Sequence, residues 1–320
     1  MRNKVRTKVT KTTRFKTILR SDMSAGNKGK LFVKIYGKAL GNIPVYLALI
    51  ALSVIFIVPF FYMIGHSLMS VNDLLNPNIK WLPRSFNLNN YEYAYKSMNY
   101  LFYLGKTLLY VGVAVFGQIM TCSFVAYGLA RVNFKGRGII FGIVLFMMIV
   151  PPQTIIVPQY MMFANLGLKN SFVPIILPCF FAMGLNGGLI IFVFRQFFKG
   201  MPPELENAAM IDGTGVFGAY FRVIFPNVKP AILITSILSL VWQWNNSFEP
   251  SVYIEDTSKG LLTMQLNILQ SNVSNVMQGV DFNEGITMAA TFLTVLPLIV
   301  IFLAIQGRFM KSMAQSGLAN

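Results

Sequence analysis

Long apolar stretches separated by short polar ones dominate the chain. An α-helix rises about 1.5 Å per residue, so roughly 20 apolar residues cross a hydrocarbon core of about 30 Å. Six stretches of that kind run from Pro44 to Leu68, Thr107 to Ala130, Gly138 to Phe163, Ser171 to Phe194, Pro230 to Glu249 and Gly285 to Gln306. The pattern predicts six membrane-crossing helices. The third is irregular. Its uninterrupted part, Ile139 to Val150, is 12 residues, about 18 Å of helix. It either continues through Pro151 and Pro152 as a kinked or broken helix, or stops short as a re-entrant segment. Continuation gives the span parity that the charges favour.

Composition agrees with the pattern. Hydrophobic residues make up 55% of the 320 and charged residues only 12%, about half the charge of a soluble domain. Lys plus Arg number 27 against 11 Asp plus Glu, a formal charge of +16. Nucleic-acid binding would need that charge spread over a folded polar surface, which most of this chain lacks. With six spans and a cytoplasmic N-terminus, 21 of the 27 basic residues fall on the cytoplasmic side, 12 of them before the first span. The net charges become +17 inside and −1 outside, the positive-inside asymmetry. Residues 1–41 read as a basic, largely disordered cytoplasmic arm on anionic lipid headgroups, residues 42–310 as the six-span domain, and 311–320 as a cytoplasmic tail. The apolar run after the arm is too long for a signal-peptide h-region and lacks a small-residue cleavage site.

Chemistry inside the spans is sparse. Cys122 and Cys179 lie in apolar runs, and His66 is the one histidine, so no catalytic or metal-ligating residue is assigned. The span cores hold no Asp, Glu or His, and Glu249 sits at a span end. That weakens an ion-coupled secondary carrier for a neutral solute, although sodium sites built from carbonyls and hydroxyls stay open. A phosphate-binding loop is missing: Gly29-Lys30 is followed by Leu31, with Ser24 where the first glycine belongs.

The informative polar segment is the loop 195–229. It reads as two short helices joined at a glycine hinge. Pro202 and Pro203 suit the start of the first, Glu204 and Glu206 its positive end, and Ala208 and Ala209 give a thin face that another chain approaches closely. Gly213 and Gly215 permit a left-handed turn. Phe217, Tyr220, Phe221 and Ile224 follow at helical spacing until Pro226 stops the second helix. By physics alone, an interfacial amphipathic helix and a partner-docking element remain equal alternatives.

At these residues the chain resembles the bacterial ABC importer permeases, whose cytoplasmic loop carries Glu-Ala-Ala, a Gly after three residues and Ile-x-Leu-Pro after nine more. Asn207-Ala208-Ala209 is followed by Gly213, then Val223 and Phe225-Pro226. The motif's glutamate is Asn207 here, with Glu206 beside it. Tyr127-Gly128-Leu129-Ala130-Arg131, Phe134-Lys135-Gly136-Arg137, Pro151-Pro152-Gln153, Leu166-Gly167-Leu168-Lys169-Asn170-Ser171 and Gln306-Gly307-Arg308-Phe309 are similar to the maltose-type carbohydrate-uptake branch, second permease. The resemblance runs from the first span to the C-terminus.

It implies an all-α integral membrane protein with six transmembrane helices and the type I ABC importer permease fold, in the bacterial plasma membrane with both termini cytoplasmic. It implies a non-catalytic subunit that binds no cofactor, ATP and Mg being used by partner ATPase subunits. The implied partners are a second permease, two ATPases, an extracytoplasmic solute-binding protein, membrane lipid and a sugar or oligosaccharide, with no nucleic acid. Glu206, Asn207, Ala208, Ala209, Met210, Asp212, Gly213 and Pro226 become the ATPase-coupling residues. Pathway candidates, chosen as donors, acceptors and an aromatic face for sugar, are Gln118, Thr121, Gln153, Asn186, Ser239, Trp242, Gln243, Asn245 and Asn246. Trp242 and Trp244 read equally as interfacial anchors, and Gln118 and Asn186 as ordinary helix-to-helix bonds. The outer loops 69–106 and 250–284 are candidate contacts for the solute-binding protein.

Overall fold

A computed structural model of the chain describes residues 42–211, 213–275 and 284–317. The basic arm, Asp212 and part of the second outer loop, including Asp281, lie outside the described residues. All regular structure among the described residues is helical. The helices are α1 (Ile43–Ser67), α2 (Val71–Leu74), α3 (Asn89–Ser97), α4 (Tyr100–Arg131), α5 (Arg137–Met147), α6 (Pro152–Asn165), α7 (Val173–Cys179), α8 (Gly187–Gly200), α9 (Glu204–Ile211), α10 (Val216–Asn227), α11 (Lys229–Asn245), α12 (Phe248–Tyr253), α13 (Leu262–Asn275) and α14 (Glu284–Gly317).

Two compact units divide the chain, residues 1–62 and 63–320. The described part of the first is the leading portion of α1, apolar around its whole circumference, as befits a helix solvated by lipid. The second unit is organised on α4, a 32-residue helix against which α7, α8, α11 and α13 pack. Near the N-terminal half of α4 the core gathers Tyr103, Tyr110, Trp244, Tyr253 and Leu261. Near its C-terminal half it gathers Cys122, Tyr127, Ile190, Phe194, Phe198 and Tyr220.

Three helices, α1, α4 and the leading part of α14, are each long and apolar enough to cross a membrane. The other apolar stretches are broken, and the breaks have local causes. α5 and α6 meet at 99°, the interruption that Pro151 and Pro152 foretell. Pro151 is extended (ψ 135°) and Pro152 opens α6 without needing an amide partner. The fourth stretch, expected as one helix, is instead α7 and α8 separated by residues 180–186. Within that gap Ala182 (φ 60°) and Asn186 (φ 56°) are left-handed, which ends α7 and redirects the chain. The fifth span is joined to α10 at 78° and ends at Asn245, with Glu249 in the separate short helix α12.

Lipid supplies no hydrophobic drive between helices, so close approach and interhelical hydrogen bonds hold such a bundle. Small residues sit where backbones meet. A Cβ on Gly187 would stand 2.6 Å from the Ala182 carbonyl oxygen, and one on Gly188 2.9 Å from that of Val144. Gln118 is fully buried; its Nε2 donates to the Leu185 carbonyl at 2.6 Å and its Oε1 accepts from Ser239 Oγ at 2.6 Å. It thereby ties α4 to the segment before α8 and to α11. Outside the membrane the connection after α12 is fixed by Asp256, whose backbone N–H donates to Asn170 Oδ1 at 3.1 Å and whose carboxylate accepts the Ser258 N–H at 2.9 Å. The Ser258 hydrogen bond holds that carboxyl below the usual carboxylate range.

Gly187→Ala is expected to destabilise the assembled protein by about 1–3 kcal/mol, because the obstacle is backbone rather than a movable side chain. Gly138→Ala, which meets nothing within 4 Å, is expected to stay within about 0.5 kcal/mol. Thermal unfolding of the two variants in detergent checks the contrast.

Candidate functional site

The loop after α8 builds the first candidate site. Pro203 supplies its carbonyl to the Glu206 and Asn207 N–H groups at 3.1 and 3.0 Å, starting α9. At the other end Gly213 adopts φ +81°. Its N–H donates to Met210 O at 3.0 Å and the Thr214 N–H to Ala209 O at 3.1 Å, the paired bonds of a glycine-terminated helix. Gly215 is extended (φ −67°, ψ 175°), so the left-handed turn rests on Gly213 alone of the two glycines.

Glu206 and Asn207, adjacent in sequence, face opposite ways. Glu206 is buried at 8% exposure. Its Oε1 accepts a hydrogen bond from Tyr127 Oη at 2.6 Å, and its Oε2 lies 3.8 Å from Arg131 Nε. Both partners belong to the C-terminal end of α4, and the Arg131 guanidinium also donates to the Met201 carbonyl where the loop leaves α8. The charge of Glu206 is therefore engaged within the chain. Asn207, Ala208 and Met210 are exposed while Ala209 turns inward, so the thin Ala208-Ala209 face is split between outside and inside. Ile211, which sequence reasoning passed over, is 86% exposed beside them. A large aliphatic side chain on a polar loop outside the spans was the available signal.

The second helix also departs from expectation. Tyr220 and Ile224 are buried against α4 and α8, with Tyr220 Oη 2.7 Å from Ser123 Oγ. Phe217 and Phe221 are exposed on one side and stack on Phe124, also of α4, at 5.7 and 6.5 Å. The four positions thus divide into a buried pair and an exposed pair. Residues 220–224 form a π-turn, closed by the Phe225 N–H on Tyr220 O. Pro226, with no N–H to give, falls just after it, and the helix runs one residue past Pro226 to Asn227 before the 78° bend into α11.

The pathway candidates separate by burial. Gln118, Ser239 and Gln243 lie between helices: Gln243 Oε1 accepts from Tyr110 Oη at 2.9 Å, and its Nε2 faces Cys179 Sγ at 3.6 Å. Thr121 Oγ1 donates to the Gly117 and Cys179 carbonyls, both at 2.8 Å. Trp242 is half-buried. Trp244 is 2% exposed, with its indole N–H on Thr294 O at 3.2 Å, and so is a core residue rather than an interfacial anchor. Gln153 is exposed at the start of α6, and Asn245 is exposed with its amide on Val241 O at 2.9 Å. Asn246 Nδ2 donates to Glu249 Oε2 at 2.8 Å. Asn186, exposed, lines a cavity of about 440 Å³ between the α5–α6 and α7–α8 breaks together with Gln159 and Glu249. Neither Gln159 nor Glu249 stood out as a pathway residue from sequence.

Broken apolar helices around one long spine, with a short polar helix locked to its end, fit a membrane-embedded subunit. Residues 118–315, more than half of the chain, match the family described as "Binding-protein-dependent transport system inner membrane component", and the chain belongs to that family. It is 30% identical over 264 residues to Protein LplC of Bacillus subtilis (strain 168), covering 80% of this chain and 87% of that protein. It is 29% identical over 271 residues to the arabinooligosaccharides transport system permease protein AraQ of the same organism, covering 83% and 92%. The crystal structure of a bacterial ABC transporter involved in the import of the acidic polysaccharide alginate superimposes with a TM-score of 0.69 at 20% identity, covering 90% of this chain and 99% of that one. The fold is thus the type I importer permease fold.

Glu206→Ala leaves Tyr127 and Arg131 without their common acceptor, and a stability loss of about 1–3 kcal/mol is expected. Asn207→Ala on the outer face is expected to cost less than about 0.5 kcal/mol. Chemical or thermal unfolding of both variants checks the difference.

Proposed function

We propose that this chain is one of two permease subunits of an ATP-driven importer of saccharides. It lies in the plasma membrane with both termini cytoplasmic, and α9 is the element on which an ATPase subunit acts. The observation that carries the reading is the two-faced α9. Its buried Glu206 is tied inward to α4, while Asn207, Ala208, Met210 and Ile211 present a small, mixed apolar and polar surface outward, with Glu204 exposed at the start of the helix. Gly213 at its end and Pro226 before the bend complete the element, and Asp212 is assigned a coupling role on its place in the sequence motif alone.

Such an arrangement suits a lever. A partner that pulls α9 also pulls α4 through Glu206, Tyr127 and Arg131, and α10 and α11 through the buried Tyr220 and Ile224. ATP-driven closure of two ATPases would thereby shift the spans between inward- and outward-facing arrangements. The ATP and Mg belong to the ATPases, and this chain itself does no bond chemistry. Saccharide as cargo is supported by the arabinooligosaccharide permease among its relatives and by the amide-bearing Gln153, Asn186, Asn245 and Asn246, none of which is buried. Gln118, Thr121, Ser239 and Gln243 act from behind that wall by fixing the helices that carry it. A second permease completes the pathway, and a solute-binding protein delivers the sugar to the outer loops.

Ala208→Glu places a longer, charged side chain on the proposed docking face. In the reconstituted complex it is expected to cut both ATP hydrolysis stimulated by the sugar-loaded binding protein and sugar uptake by about tenfold or more. If both survive at wild-type rates, α9 is not the docking element.

A further inference from the structure

A cavity of about 440 Å³ between the two helix breaks is a partly polar-lined space that the coupling reading leaves unused. Its walls are mostly apolar: Met148, Pro151 and Pro152 come from the α5–α6 break, and Ala182 and Leu185 from the segment before α8. Three polar side chains converge on it from separate elements, Gln159 of α6, Asn186 at the start of α8 and Glu249 of α12. Glu249 and Gln159 also border a small adjoining cavity of about 30 Å³, next to Tyr253. Ligand sites of this size combine apolar walls with a few placed polar groups, and membrane transporters place them where helices are interrupted.

Charge decides what fits. Among the described residues Glu249 is the one charged side chain lining the cavity, and no described Lys, Arg or His lines it. The described contacts of its carboxylate are with neutral groups; Asn246 Nδ2 donates to Oε2 at 2.8 Å, and the Glu249 backbone N–H returns a bond to Asn246 Oδ1 at 3.3 Å. These two bonds hold the side chain at the first turn of α12 and leave Oε1 as an acceptor. A carboxylate oxygen accepts from vicinal hydroxyls, and the amides of Gln159 and Asn186 both donate and accept. Pro151 and Pro152 offer a flat apolar wall to a pyranose face. An anionic ligand would meet an uncompensated carboxylate instead. At about 6 Å and an effective dielectric of about 20, that repulsion corresponds to roughly a hundredfold loss of affinity.

We infer that this cavity is a saccharide subsite selective for neutral over acidic sugars, with Glu249 as its specificity-determining acceptor and Gln159 and Asn186 as the opposing amides. The inference rests on the importer reading but adds the charge class of the cargo.

Equilibrium binding to the assembled complex in nanodiscs tests it, with radiolabelled raffinose and arabinotriose as neutral probes and trigalacturonate as the acidic one. Trigalacturonate is expected to bind at least about tenfold more weakly than the better neutral probe. Glu249→Gln is expected to weaken the neutral probes by about tenfold, the scale of a hydrogen bond to a charged group, and to narrow the gap to trigalacturonate. Gln159→Leu, on the facing helix, is expected to weaken the neutral probes without narrowing that gap. Equal binding of trigalacturonate and the neutral probes by the unaltered complex, unchanged neutral binding in Glu249→Gln, or no binding of either neutral probe overturns the subsite. A complex that still hydrolyses ATP in response to its loaded binding protein, yet gives one of those results, keeps the importer reading and loses this one.

Discussion

The buried carboxylate of Glu206 is the constraint on which the working geometry depends. A carboxylate inside a membrane protein is costly unless its oxygens are bonded and its charge is matched. Here one oxygen takes the Tyr127 hydroxyl and the other faces Arg131, both on the last turns of α4. Moving α9 away from α4 would strand all three groups. That penalty, rather than apolar burial, makes a helix of eight residues behave as an extension of one of 32. The neighbouring bond from Arg131 to Met201 ties the same end of α4 to the loop leaving α8, so α9 and the segment leading into it share one anchor.

The second feature is interruption. In lipid every backbone group must be satisfied internally, and irregular chain is tolerated only where protein or a water-filled space surrounds it. The breaks at residues 148–151 and 180–186 meet these terms together, since Gly188 lets the start of α8 approach the Val144 carbonyl and both breaks border one cavity. The bundle therefore has α9 locked at the C-terminal end of α4 and its polar-lined space at the broken helices, joined through α8 and the Gln118–Ser239 bond.

Much of this was legible in the residues. The apolar runs marked α1, α4 and α14 because whole-circumference hydrophobicity is a strong signal, and Pro151-Pro152 marked the α5–α6 break because ring sterics act locally. The Asn207-Ala208-Ala209 to Gly213 spacing marked α9 and its left-handed end. What escaped was directional. Nothing in the order Glu206-Asn207 says that the glutamate turns inward, since that depends on Tyr127 and Arg131, some 75 residues earlier. The α7–α8 break was hidden because its left-handed turns fall on Ala182 and Asn186 rather than on a glycine. The burial of Tyr220 and Ile224 but not of Phe217 and Phe221 was hidden because it depends on Ser123 and on the packing of α8, distant in sequence. Glu249 looked like a span-end acid until α12 folded it back over the cavity.

The central claim is that α9 and the C-terminal end of α4 move as one body. Spin labels on Glu204→Cys and Asn133→Cys, measured by double electron–electron resonance in the reconstituted complex, test this directly. The account predicts the same distance distribution without nucleotide and with ATP bound, while labels reporting on the ATPase dimer move together. A shift or broadening of the Glu204–Asn133 distance on ATP binding would contradict it.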